Sequence, residues 1–205
     1  MAGVTDHAIV LSVAASVIGF FGYVPYIRDT LKGTTKPHVL SWLGWGALEV
    51  IAFFAQLTKG AGPGAWVTGA SALIVIAIAV LAVRNHDTQI HPFDSVAFIG
   101  AIIGAVLWAI TSNPLLAVIS VSVADALAFL PTFRKAYAKP HEETLSEFGL
   151  SAIKWAITIP ALQSFNLTTA LYPASLVCTN SLFVVMVLVR RYDRSHPIAK
   201  RNLRQ

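Results

Sequence analysis

The sequence predicts an all-α membrane protein whose seven transmembrane helices form two parallel three-helix repeats joined by a linker helix. Three observations carry that prediction. Apolar residues gather into seven runs, at 8–27, 38–58, 63–83, 93–111, 113–134, 145–165 and 169–190, and a helix needs about 20 residues to cross a hydrocarbon core of about 30 Å. The Lys and Arg residues fall almost wholly to one side of these runs. The first and last three runs share residues at a nearly fixed offset. Composition agrees: 56% of the 205 residues are hydrophobic and 12% charged, about half the charged share of an ordinary soluble domain, and the mean hydropathy is +0.67.

Taken in order, run one has no Lys or Arg before it, so it is expected to be a retained helix and not a cleavable signal, which needs a basic leading region. Arg28, Lys32 and Lys36 separate it from run two, which carries Glu49. Lys59 lies between runs two and three, and Arg84 follows run three. Run four carries no internal Lys or Arg and is expected to be the linker. Run five holds Asp125 and is followed by Arg134, Lys135 and Lys139; run six holds Lys154; run seven holds Cys178 and Asn180 and leads into Arg190, Arg191, Arg194, Lys200, Arg201 and Arg204. Thirteen basic residues thus lie on one side and Lys59 alone on the other. By the positive-inside rule the N-terminus is external and the C-terminus cytoplasmic, in a multi-pass protein of the cell (inner) membrane. The formal charge of +5 is therefore assigned to topology, and no nucleic-acid partner is expected. Cys178 is the only cysteine and is expected to be a small packing residue.

An offset of 106 places Gly22-Tyr23-Val24-Pro25-Tyr26-Ile27-Arg28 on Ala128-Phe129-Leu130-Pro131-Thr132-Phe133-Arg134, and Val83-Arg84-Asn85-His86-Asp87 on Val189-Arg190-Arg191-Tyr192-Asp193. Lys36-Pro37-His38 recurs as Lys139-Pro140-His141, and Ser41 as Ser146. The expected units are residues 1–87, a linker at 88–112, and 113–205. Equivalent helices share an orientation only because run four adds a crossing, the parallel-repeat arrangement known for SWEET transporters.

The pattern Pro25-x-x-Arg28, Lys32-Gly33-Thr34-Thr35 and Ser41, together with Leu130-Pro131-Thr132-Phe133-Arg134-Lys135, resembles the SWEET and PQ-loop superfamily, and bacterial membrane proteins of this size within it. Where PQ-loop proteins have Pro-Gln, this chain has Pro25-Tyr26 and Pro131-Thr132. The resemblance implies a three-plus-one-plus-three fold and transport of a small polar solute, amino-acid-like, sugar or vitamin precursor, by alternating access. It also implies a hinge pair at Pro25 and Pro131; the alternative is a pair of fixed kinks, since an internal proline removes a helical hydrogen bond either way.

The informative positions are Glu49, Asp125 and Lys154, ionisable residues well inside apolar runs, which face a cavity or a partner because a charge at mid-bilayer costs at least about 2.5–3.5 kcal/mol. Glu49 and Lys154 stand eight residues after Ser41 and Ser146, so they are expected at one depth in the two repeats. Two readings stand. Either they bind opposite ends of a polar or zwitterionic solute, with Glu49 or Asp125 also carrying a proton, or Lys154 forms a structural ion pair with Asp125. Asn180 falls where SWEET proteins have a pathway asparagine, and serves either a solute or helix packing; its repeat partner is Ile74, with Ser71 one turn away and able to supply a hydroxyl. Trp42 and Trp66 are expected as interfacial anchors. Of the neighbours Lys154 and Trp155, about 100° apart on a helix, only one is expected to line the pathway. Gly44, Gly46, Gly69, Ala70 and Ser71 are expected to allow close packing.

No phosphate loop, paired-cysteine metal motif or His-Glu-x-x-His run occurs, so neither an enzyme nor a bound cofactor is expected. His7, His38, His86, His91, His141 and His196 fall in loops or at run ends and are expected to be solvated or interfacial. The expected partners are a small solute and the bilayer, with a homo-oligomer open. The competing reading is a receptor or assembly factor on the same scaffold.

Overall fold

The computed structural model describes residues 6–58, 63–85, 90–111, 113–161 and 167–195. Among them are seven α-helices and no strand: α1 Asp6–Leu31, α2 Val39–Thr58, α3 Pro63–Arg84, α4 Pro92–Ile110, α5 Pro114–Ala138, α6 Leu145–Thr158 and α7 Leu167–Ser195. Short 3-10 turns follow α5 and α6, at Pro140–Glu142 and Ile159–Ala161. Lys59, His86, His196, Lys200, Arg201 and Arg204, and the side chains of His7, Trp66 and Trp108, lie outside the described residues.

Local chemistry sets the ends. Helix α1 stops at Gly33, whose φ of 72° suits glycine, and the Thr34 and Thr35 amides then turn back to the Asp29 carbonyl. Helix α4 opens on Pro92 with a reciprocal cap, His91 accepting from the Phe93 amide and Asp94 from the His91 amide. Helix α5 opens on Pro114, capped by Asn113 accepting from the Leu115 and Leu116 amides. Run six, expected over 145–165, is α-helical only to Thr158. Pro160 lacks an amide to donate back into the helix, and the chain passes into the 3-10 turn Ile159–Ala161 with Ile159 still in the right-handed helical region.

Two stretches are long and apolar enough to cross a bilayer, Val10–Leu31 with 22 residues and Ala170–Ser195 with 26, about 33 and 39 Å at about 1.5 Å per residue. Shorter apolar stretches cover Val39–Val50, Ser71–Arg84 and Pro92–Gly104.

The helices pack as a ring: α1 on α3, α3 on α2, α2 on α5, α5 on α7, α7 on α6, and α6 back on α1. Among the described residues the α1 and α2 backbones are not neighbours, nor are those of α5 and α6; these pairs meet through side chains, Tyr26 with Trp42 and Phe129 with Phe148. Exchanging α1, α2 and α3 for α5, α6 and α7 leaves this order unchanged. Helix α4 stands outside the ring against α2 and α5. Large apolar side chains face outward, among them Val17, Phe20 and Val24 on α1, Val96, Ile99 and Ile103 on α4, and Leu182 and Val185 on α7. The interior, by contrast, holds His38, Asp94, Asp125, Lys135, Glu143, Glu147 and Asn180.

Candidate functional site

A cavity opens inside the ring, and each wall is one helix face. Tyr23 comes from α1; Trp42, Trp45 and Glu49 from α2; Val75 from α3; Asp125 and Phe129 from α5. Helix α6 supplies Glu147, Ser151 and Lys154, at spacings of four and three that align them on one side, and α7 supplies Tyr172, Leu176 and Asn180, each four apart. The four residues singled out from sequence, Glu49, Asp125, Lys154 and Asn180, therefore share one cavity. Pro25 and Pro131 do not line it: they sit toward the basic ends of α1 and α5, Pro131 fully buried and Pro25 half-buried.

The polar groups are held by neighbours on other helices. Ser71 donates to Glu49 Oε1 at 3.1 Å and contacts the Tyr23 hydroxyl at 3.4 Å, so of the two roles expected for this serine the hydroxyl one is visible here. Tyr172 reaches Asp125. The Asn180 amide donates to the Leu176 carbonyl of its own helix at 2.8 Å, and Ile74, its repeat partner, packs on the apolar core. Lys154 is not committed to Asp125 alone: it lies within electrostatic reach of Glu49, Asp125 and Glu147. Its ammonium sits 4.8 Å from the centre of the Trp155 ring. Both Lys154 and Trp155 line the cavity, contrary to expectation, because the flexible lysine stem folds back over its neighbour's ring.

Glu147 is the charged cavity residue that sequence reasoning missed. It stands near the start of run six, where a carboxylate passes for an interfacial charge, and the signal was its register with Ser151 and Lys154. Ser151 donates to Glu147 Oε1 at 2.9 Å, whereas Glu147 Oε2 and Glu49 Oε2 are buried with no hydrogen-bond partner within the described residues. Helix α1 makes room for this face of α6 with two glycines one turn apart. A methyl at Gly22 would lie 2.8 Å from Glu147 Oε2, and one at Gly19 would lie 2.7 Å from Lys154 Cδ.

Toward the basic ends of the helices the cavity is floored by aromatic rings. Phe129, Phe148 and Phe183 have centroids 4.3–5.6 Å apart, in the range of favourable ring contacts. Tyr26 and Trp42 stand beside them at 4.9 Å. Trp42 is 2% exposed and donates its indole N–H to Tyr26 at 3.2 Å, so it is a core residue and not an interfacial anchor; its ring fills the seam below the cavity.

Beyond the floor lies a second polar cluster. Lys135 bonds Glu143 at 2.6 Å and the carbonyls of Lys36 and Glu142, and Tyr26 donates to Glu143 at 3.2 Å. Burial pushes the Glu143 carboxyl above its ordinary range, and the Lys135 ammonium draws it back. Asp94 receives Arg134 from α5 and contacts His38 from the α1–α2 connection at 3.3 Å. Arg191 reaches the Pro140 and Glu143 carbonyls. Three expectations are revised here, two corrected and one extended. His38 is fully buried, not solvated, because Asp94 gives its ring a polar partner inside. Lys135 and Arg134, counted above among topology charges, also tie connections together. Cys178, expected as a packing residue, is exposed on the outer side of α7.

No protein-family model matches the chain, and neither curated proteins nor solved structures give a significant match. The candidate site therefore rests on its geometry.

Proposed function

We propose that this chain is a membrane transporter of a small polar solute, with seven spans arranged as two three-helix repeats, α1–α3 and α5–α7, that rock against each other around the cavity. The basic helix ends and connections are cytoplasmic. The observation that carries this reading is the convergence of Glu49, Asp125, Glu147 and Lys154 from three helices on one cavity in a molecule whose outer surface is apolar. Intramembrane charges of this kind mark solute and ion paths. Support also comes from the ring order, unchanged by exchange of the two halves, and from exposed hydrocarbon on α1, α4 and α7 of an extent that soluble monomers rarely show. With the aromatic floor closed on the basic side, the cavity corresponds to a state shut toward the cytoplasm.

The test is uptake by proteoliposomes of a labelled panel of sugars, amino acids and vitamin precursors, with wild type, Glu49→Gln and Lys154→Met compared at equal folded protein. Saturable uptake above empty liposomes, lost in both variants, is the expected result. No flux of any panel member, or normal flux in both folded variants, overturns the reading, and saturable binding without flux marks a receptor.

A further inference from the structure

The chemistry of the cavity narrows the solute, given that the cavity binds one as proposed above. It presents three carboxyl groups, Glu49, Asp125 and Glu147, against one amine, Lys154. Asp125 is met by Tyr172. The fully buried lining atoms left over are of one kind: Oε2 of Glu49 on α2 and Oε2 of Glu147 on α6, both acceptors without a donor among the described residues. Glu147 is only 6% exposed, and the two glutamates lie within electrostatic reach of each other. An unpaired buried acceptor costs about 1–3 kcal/mol, more when charged, so what is missing is a hydrogen-bond donor, and charge balance asks that it be positive. An anionic solute would add like charge, and a neutral polyol would satisfy the acceptors without balancing the carboxylates. The walls agree, since Tyr23, Trp45 and Tyr172 line the cavity and aromatic faces attract cations within about 6 Å.

We propose that the cavity recognises a small organic cation, an ammonium-bearing solute held between Glu49 and Glu147. The volume of about 70 Å³ limits its size: one water needs about 10–15 Å³, so the solute has roughly five heavy atoms in this state.

The inference is tested by binding, separately from flux, using three probes of matched size: ethanolammonium, ethylene glycol and glycolate. Each is titrated calorimetrically into the full-length protein in detergent at neutral pH, and thermal shift is read in parallel. The expected result is saturable binding of ethanolammonium, at least about tenfold tighter than either other probe. Both Glu147→Gln and Glu49→Gln are expected to weaken it by at least about tenfold while remaining folded by thermal melting. Equal or tighter binding of ethylene glycol or glycolate overturns the proposal. So does the absence of saturable ethanolammonium binding, or unchanged affinity in both folded variants. Ethanolammonium binding without flux supports this inference while overturning the transporter reading; sugar flux without ethanolammonium binding does the reverse.

Discussion

The cavity and the cluster beneath it are built from the same chemical groups and use them in opposite ways. In the lower cluster Glu143 meets Lys135 and Tyr26, and Asp94 meets Arg134, His38 and the His91 amide. Each carboxylate there has several donors from different parts of the chain. In the cavity Glu49 and Glu147 each have one hydroxyl donor, Ser71 and Ser151, and a second oxygen with none. Burial alone does not distinguish the two sets of carboxylates, since both are buried. The bonding capacity left over on the carboxylate oxygens does.

That contrast is open to direct attack, beginning with the largest effect. Lys135→Met leaves Glu143 buried without its cation, and removing one partner of a buried pair costs about 3–5 kcal/mol. Thermal or denaturant melting in detergent is expected to show that loss, and a change below about 1 kcal/mol would mean the lower cluster is not structural. Gly22→Ala comes next. Its methyl meets Glu147 Oε2 at 2.8 Å, and overpacking of this kind costs about 1–3 kcal/mol; the α1–α6 face is also expected to lose uptake through displacement of Glu147. Glu147→Gln sharpens the comparison most. It keeps a group able to bond Ser151, so stability is expected to stay within about 1 kcal/mol of wild type, while solute uptake falls at least about tenfold. A stability loss rivalling that of Lys135→Met would make the two clusters alike. Cys178→Ala, at an exposed position, is expected to change stability by less than about 0.5 kcal/mol and to leave uptake intact.

Helix number and most boundaries were legible in the sequence because apolar runs and their flanking charges record them directly. The exceptions have local causes. α1 and α5 continue to Leu31 and Ala138, past the expected run ends at 27 and 134, because helix does not stop where hydropathy does. α6 ends early at Pro160. The site was legible as far as Glu49, Asp125, Lys154 and Asn180, since charge and amide groups amid hydrocarbon are conspicuous. Glu147 and the clearance at Gly19 and Gly22 were not, and Ser71 was legible as a hydroxyl but not as the partner of Glu49, because their meaning depends on which helix faces them, and the α1–α6 and α2–α3 contacts are tertiary facts. The same limit applies to His38 and Trp42, whose positions at a run's edge suggested solvent or headgroups until Asp94 and Tyr26 were found beside them.

The connections at the basic end bear on the proposed rocking of the two halves as well as on shape. The Lys36 amide bonds the Glu142 carbonyl, Lys135 bonds the Lys36 carbonyl, Thr144 bonds Thr35 and Asp29, and Tyr26 bonds Glu143; every one of these links the α1–α2 side to the α5–α6 side. Parting the two sides breaks them together, and at about 0.5–1.5 kcal/mol each their sum is several kcal/mol. In the proposed transport cycle, a form open at this end is then a minor population of the empty protein, and a solute would raise it only by binding that form more tightly than the closed one. Under that proposal the bonds that shut the floor also set how much selectivity between forms a solute must bring to pass through.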